Sequence, residues 1–200
     1  MYTLLSGAYR HYFQKDEYCI LILGLDDAGK TTFLEQTKTK FNQEYRGMPL
    51  NKITTTVGLN IGKVTTQGVK LMFWDLGGQE ELQSLWDKYF SDCHGVIFIV
   101  DSADPDRLLE SKRAFDQVLS FSTLDSAPLL ILGNKQDISG CLPILEIKHA
   151  FHDCSNRIGS RDCMIRPCSG LTGAGVTEGI EWMAKCVKLN PFRPPRRDKR

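Results

Sequence analysis

Gly24-Leu25-Asp26-Asp27-Ala28-Gly29-Lys30-Thr31 follows a short apolar run, Tyr18 to Leu23, and precedes a helical stretch. Glycines at 24 and 29 let the backbone curl, and the amides of such a loop, with the helix N-terminus behind them, bind phosphate. Lys30 is placed to reach the outer phosphate oxygens. The Thr31 hydroxyl suits Mg²⁺, a hard ion that takes oxygen ligands. Thr32 continues the loop into the helix. Asp26 and Asp27 sit awkwardly beside phosphates unless their carboxylates point away and only their amides point in. The loop by itself specifies a nucleoside triphosphate and says nothing of the base.

Two further clusters complete that chemistry. Phe73-Trp74-Asp75-Leu76-Gly77-Gly78-Gln79-Glu80 ends a second apolar run. Asp75 can hold a Mg²⁺-bound water, the Gly78 amide can meet the terminal phosphate, and Gln79 can orient an attacking water. Asn134-Lys135-Gln136-Asp137 follows a third run. A carboxylate such as Asp137 can accept both hydrogen bonds from the N1–H and exocyclic amine of guanine. Adenine lacks that donor pair and would leave the acceptor unsatisfied. The Lys135 stem can cover the base plane. Ser169 and Gly170, after the last apolar run, can add a backbone N–H for the guanine carbonyl.

The elements that must hold these clusters alternate along the chain. Strands are predicted at 18–23, 57–64, 69–75, 95–101, 128–133 and 164–168, with the second and third joined as a hairpin around Gln67-Gly68. Helices are predicted at 30–38, 105–121 (Pro105 at its start, Asp104 as cap), 142–151 and 176–189. Strands separated by helices imply a mostly parallel six-stranded α/β sheet with helices on both faces. The hairpin adds one antiparallel edge strand. The clusters all fall where strands end, which is where open α/β sheets bind ligands.

Composition sets the limits. The chain has 200 residues, 42% hydrophobic and 24% charged, with 25 Lys plus Arg against 24 Asp plus Glu. That is ordinary single-domain globular material, and its net charge of +1 gives no field that would gather nucleic acid. The seven cysteines form no Cys-x-x-Cys pair and read as mostly buried, reduced thiols. No apolar run approaches the ~20 residues that span a bilayer.

The ends differ from the middle. Met1, Leu4, Leu5, Ala8, Tyr9 and Tyr12 recur at helical spacing, with Tyr2 beside them and no acid before Asp16. Residues 1–15 therefore read as an amphipathic helix, either lying on the domain surface or seated in a membrane interface. Residues 16–189 are the globular domain. Residues 190–200, basic and proline-rich, read as a solvated disordered tail, with weak attraction to an anionic membrane as the alternative.

The order and wording of these motifs resemble the small GTPases, and within them the Arf and Arf-like family. The resemblance rests on Gly-Leu-Asp-x-Ala-Gly-Lys-Thr-Thr at 24–32, Trp-Asp-Leu-Gly-Gly-Gln-Glu at 74–80, Leu-Trp-Asp-Lys-Tyr-Phe at 85–90 and Gly-Asn-Lys-Gln-Asp at 133–137. It covers the chain to about Leu189. It implies a switch that cycles between GDP and GTP, with Mg²⁺ held by Thr31, by Thr56 in the GTP form, and by Asp75 through water. It implies slow intrinsic hydrolysis, with Gln79 positioning water and an activating protein supplying an arginine. It also implies an exchange factor, and effectors meeting Leu59, Trp74 and Tyr89. The hairpin between Thr56 and Asp75 would slide with the nucleotide and release the N-terminal helix onto Golgi or trans-Golgi membranes, where vesicle traffic is served. Tyr rather than Gly at position 2 excludes N-myristoylation. Met1-Tyr2 is similar to Arf-like starts whose acetylated Met is held by a Golgi membrane protein. A nucleotide-holding scaffold without turnover is the alternative function.

Several positions depart from the family pattern. The stretch 38–53 is longer, Leu59 replaces a Phe, Asp27 adds a charge beside the phosphates, and Gly133 and Gly170 replace Ala.

Overall fold

The computed structural model describes residues 15–49 and 52–196. The segment expected to form the N-terminal helix, 1–15, lies outside these residues apart from Lys15.

Six strands form one sheet in the order β2-β3-β1-β4-β5-β6. They are β1 Glu17–Leu23, β2 Leu59–Thr66, β3 Val69–Leu76, β4 Gly95–Asp101, β5 Leu129–Asn134 and β6 Cys163–Pro167. All neighbours run parallel except β2 and β3. That pair turns at Gln67 and Gly68, both at positive φ (48° and 79°), the geometry of a tight hairpin turn. The edge position and antiparallel sense of β2 match the sequence reading.

The helices are α1 Lys30–Phe41, α2 Glu80–Gln83, α3 Leu108–Leu119, α4 Ile144–Phe151, α5 Ser155–Ile158 and α6 Val176–Leu189. The expected helix over 105–121 divides. Pro105–Arg107 is a 3₁₀ turn capped by Asp104, whose Oδ1 accepts from Arg107 N at 3.3 Å, and the α-helix begins at Leu108. A proline at the first position sets φ but supplies no N–H, which suits a tightened first turn.

Alternation along the strands builds two cores. Cys19, Leu21, Leu23 and Phe98 face α3 and α4 through Phe115 and Phe151. Ile20, Ile22, Ile97 and Ile99 face α1 and α6 through Phe33, Leu34, Met183 and Val187. Central strands buried on both faces read as continuous apolar runs. Five of the seven cysteines are buried and all seven are free thiols. Among the described residues no helix is long and apolar enough to cross a membrane.

The C-terminal segment corrects the expectation of a disordered tail as far as Arg196. Arg196 N donates to Glu17 O at 2.9 Å beside the start of β1, and its guanidinium lies 4.9 Å above the Trp74 ring and 3.3 Å from Asp92 Oδ2. Asn190 Nδ2 donates to Ser126 O, and Arg193 donates to Ser126 Oγ and to the carbonyls of Cys93 and Thr123. Prolines bar a helix here but not an extended strap, and the Arg193 guanidinium finds carbonyls in the segments that lead into β4 and β5.

Candidate functional site

Strand β1 lies between β3 and β4, so the chain leaves it in both directions across the sheet. At that switch point, beyond the C-terminal strand ends, lies a cavity of about 600 Å³. Its wall carries Asp26, Asp27, Gly29, Lys30, Thr31 and Thr32 from the first loop. It also carries Thr56, Gly78, Asn134, Lys135, Asp137 and Gly170. The three distant motifs therefore meet.

The first loop is fitted closely to its neighbours. A Cβ at Gly24 (φ 137°) would lie 2.2 Å from the Ile99 carbonyl, and one at Gly29 (φ 87°) would lie 2.5 Å from Asn134 Nδ2. Leu25 and Ala28 are buried beneath the loop. Lys30 is 6% exposed, and its Nζ donates to Leu25 O at 2.6 Å. Burial pushes its ammonium down to about 8, against the opposing pull of the Asp75, Asp26 and Asp27 carboxylates. An anionic phosphate beside it would raise that pKa again.

Thr31, Thr56 and Asp75 converge. Thr31 Oγ1 donates to Asp75 Oδ2 at 2.7 Å and lies 2.7 Å from Thr56 Oγ1, which is itself 3.5 Å from the carboxylate. Asn60 Nδ2 donates to the same oxygen at 3.3 Å. Asp75 is fully buried, and its Oδ1 has no hydrogen-bond partner among the described residues. Burial raises the pKa of its carboxyl despite the Thr31 hydrogen bond and the nearby Lys30. Two hydroxyls and a half-satisfied buried carboxylate form an all-oxygen donor set, which suits Mg²⁺.

Gly78 leaves no room for a side chain. A Cβ there would meet Gly24 O, Leu25 C and Lys30 Nζ at 2.4 Å. Gln83 Nε2 donates to its carbonyl at 3.0 Å. Gly77 N donates to Gly58 O at 3.1 Å, and Gly77 O accepts from Trp86 Nε1 at 2.9 Å. Leu76 is buried at the end of β3. Gln79, half-buried just before α2, follows Gly78 but is not itself on the cavity wall.

At the other end of the cavity, Asn134 Nδ2 donates to Ala28 O and its Oδ1 accepts from Gly170 N, both at 2.8 Å. The backbone N–H groups expected to meet a guanine carbonyl are thus engaged within the protein, Gly170 N on Asn134 and Ser169 N on Ala174 O at 3.0 Å. Lys135 adopts φ 64°, and its Nζ reaches Asp101 Oδ2 at 2.6 Å. Asp137 Oδ1 accepts from the buried Ser169 hydroxyl, which holds the carboxylate on the wall. The Gln136 side chain turns toward the chain that follows its loop. Its Nε2 donates to Leu142 O at 2.9 Å, so it ties the loop to the chain ahead of α4.

The expected effector residues are partly assembled. The Trp74 and Tyr89 rings stack edge to face with centroids 5.5 Å apart. In the hairpin register Leu59 pairs with Leu76 and Ile61 with Trp74, which puts all four on one face. Leu59 and Ile61 are exposed, but Trp74 is buried beneath Arg196.

Sequence reading missed Ile53, Thr54, Thr55, Ile138 and Leu171 on the wall. The last two are exposed apolar residues next to base-loop motifs, and that adjacency was the available signal. It also missed Arg107, which binds Asp26 from the far end of β4. Nothing local in the sequence marks that contact.

A phosphate loop, an oxygen donor cluster and an Asn-Lys-Gln-Asp loop on one edge of a doubly wound sheet define a guanine-nucleotide-binding domain. The chain matches the Arf model, described as the ADP-ribosylation factor family, over residues 5–187. It is 67% identical over 196 residues to ADP-ribosylation factor-related protein 1 of Rattus norvegicus and 66% identical to that of Homo sapiens, each covering 98% of both chains. It is 42% identical over 197 residues to ADP-ribosylation factor-like protein 3 of Saccharomyces cerevisiae, again covering 98% of both. Its fold superposes on the Arl6 BBS3 small GTPase of Trypanosoma brucei, solved with the nucleotide analogue GppNp, with a TM-score of 0.75 at 28% identity. That match covers 87% of this chain and 99% of the other. The chain belongs to the ADP-ribosylation factor family of small GTPases, which bind and hydrolyse GTP.

Proposed function

We propose that this GTPase is a membrane switch of the Arf-like type that recruits effectors for vesicle traffic at Golgi or trans-Golgi membranes while GTP is bound. The convergence of Thr31, Thr56 and Asp75 beside Lys30 carries the reading. It joins the phosphate loop, the Thr56 segment ahead of β2 and the end of β3 at one point, so a ligand there sets all three together. Mg²⁺ would be held by the two threonine hydroxyls and, through water, by Asp75, and would supply charge neutralisation at the phosphates. Lys30 and the Gly78 amide bind the terminal phosphate. Asp137 and Lys135 select guanine, while Ser169 holds the Asp137 carboxylate and Gly170 holds Asn134. Gln79 orients the attacking water.

Residues 1–13 are the proposed anchor, with Leu4, Leu5, Ala8, Tyr9 and Tyr12 toward lipid and Met1-Tyr2 held by a membrane-protein receptor. An exchange factor and an activating protein complete the cycle, the latter supplying an arginine worth roughly 10³–10⁵ in rate. Support for this reading comes from relatives named as ADP-ribosylation factor-related proteins.

Two measurements test it. Single-turnover hydrolysis should be slow, rise on addition of cell extract, and stay slow with extract in Gln79→Leu. A fast intrinsic rate that extract cannot raise defeats the switch. In flotation with anionic liposomes, the protein loaded with a non-hydrolysable GTP analogue should float and the GDP form should not. Equal behaviour of the two forms defeats nucleotide-gated anchoring.

A further inference from the structure

Asp26 lies on the cavity wall beside Asp27, and its carboxylate acts on the charge of Lys30. A phosphate-binding loop gains nothing from carboxylates, since each repels the ligand. Asp26, however, is not left free. Arg107 NH2 donates to its Oδ1 at 2.6 Å, and NH1 donates to its backbone carbonyl at 3.3 Å. The same guanidinium is braced from behind by Glu110, through Nε at 2.9 Å and NH2 at 3.1 Å. Its backbone is fixed by the Asp104 cap.

The segment that carries Arg107 is itself anchored. Asp101 Oδ1 accepts from Ala103 N, and Asp101 Oδ2 binds Lys135 of the base loop. Ser102 N donates to Asn134 O, and Ser102 O accepts from Leu142 N. The stretch from Asp101 to Arg107 thus buttresses both ends of the nucleotide cavity at once. A planar guanidinium with two donors on one residue fixes the rotamer of its partner as well as its charge.

We propose that Arg107 is a positioning residue for nucleotide discrimination. By holding and neutralising the Asp26 carboxylate, it keeps that charge from opposing the terminal phosphate, and so favours GTP over GDP. This rests on the guanine-nucleotide reading above. The triphosphate carries more negative charge than the diphosphate and extends it toward the loop that holds Asp26. An unpaired carboxylate there penalises GTP more than GDP. The pair is about one-third exposed on each side, so as a stability element it contributes little. Its field acts instead on a neighbouring anion inside a protein-walled cavity, where screening is weaker than at an open surface.

The test is the ratio of affinities for a non-hydrolysable GTP analogue and for GDP, measured by displacement of a fluorescent guanine nucleotide with Mg²⁺ present. Arg107→Ala should lower that ratio by about three- to tenfold at low salt, with the deficit shrinking as salt rises. Adding Asp26→Asn to Arg107→Ala should restore it, because the charge to be neutralised is gone. Asp26→Asn alone should keep or raise the ratio. Arg107→Lys should fall between wild type and Arg107→Ala.

An equal loss for both nucleotides in Arg107→Ala would mean a merely structural role and overturn the proposal. So would failure of Asp26→Asn to restore the ratio, or a lower ratio in Asp26→Asn alone, which can be read even if Arg107→Ala folds poorly. If wild type binds neither guanine nucleotide, the functional reading falls instead, and that outcome is visible before any variant is made.

Discussion

Asn134 at the end of β5 donates from Nδ2 to the carbonyl of Ala28 in the phosphate loop at 2.8 Å, across 106 residues of sequence. Its Oδ1 accepts from Gly170 N at the same distance. One side chain, 2% exposed, therefore ties together the loops that follow β1, β5 and β6. Asn134→Ala would orphan a buried carbonyl and a buried amide, at about 1–3 kcal/mol for each group left unpaired. We expect a lower melting temperature and faster guanine-nucleotide release than wild type. Release at the wild-type rate would show that the loops hold their positions without this strut.

The fold was legible because its strands are apolar runs punctuated by glycine and aspartate, and the central ones are buried on both faces. Leu129–Asn134 and Gly95–Asp101 read directly from the sequence for that reason. The nucleotide motifs were legible because phosphate chemistry forces glycine, lysine and threonine into fixed local spacing. The direction of the Gln136 side chain, toward Leu142 O, was not legible because motif membership carries no direction. Arg107 was invisible because its partner Asp26 is 81 residues away, and only the sheet order brings them together. The short helical turns after β3 and α4 were missed because neither is long enough to show a period of 3.6 residues.

Gly78 sits where any side chain would collide with the phosphate loop. A Cβ would lie 2.4 Å from Gly24 O and from Lys30 Nζ. Backbone cannot yield cheaply at such a distance, and the lysine that could move is the one expected on the terminal phosphate. Gly78→Ala should therefore weaken binding of a GTP analogue much more than of GDP, by about tenfold or more if one charged hydrogen bond is lost. Isothermal titration with both nucleotides checks this. An unchanged preference would place the terminal phosphate elsewhere.

His94 gives a prediction for pH. Its Nδ1 accepts from Cys19 N at 3.0 Å, which requires that nitrogen to be unprotonated, and its Nε2 meets Pro194 O at 2.9 Å. The Tyr18 ring packs against it edge-on, and the Arg193 and Arg196 guanidiniums disfavour a second positive charge. Burial is the main reason that its pKa lies below the ordinary 6.5. The unfolded chain thus takes up the proton first as pH falls. The stabilising contribution is whole above the unfolded value and is lost as pH drops through the folded one. Melting temperature should decline on acidification from about pH 7.5 to about pH 5.5, and His94→Gln, which cannot titrate, should flatten that decline. Parallel profiles for the two proteins would rule out His94 as the cause.

The same histidine is one of the points that fasten the C-terminal strap, and Arg196 is the last among the described residues. Its guanidinium covers the Trp74 face at 4.9 Å and pairs with Asp92 at 3.3 Å, while its backbone bridges to Glu17. Because the side chain is about one-third exposed, the ion pair contributes little and the cation–π contact is the larger part, about 0.5–1 kcal/mol. Arg196→Ala should therefore lower stability only slightly. Truncation after Asn190 should lower it more, since it also removes the Pro194 carbonyl from His94 and the Arg193 guanidinium from three acceptors. Both changes should speed solvent exchange of the buried Trp74 indole N–H, measured by NMR on labelled protein. Arg196→Lys, which keeps the charge but not the flat guanidinium, should fall between them and wild type. Truncated protein with an unchanged melting temperature and unchanged Trp74 exchange would show that the strap rests on the sheet without holding it.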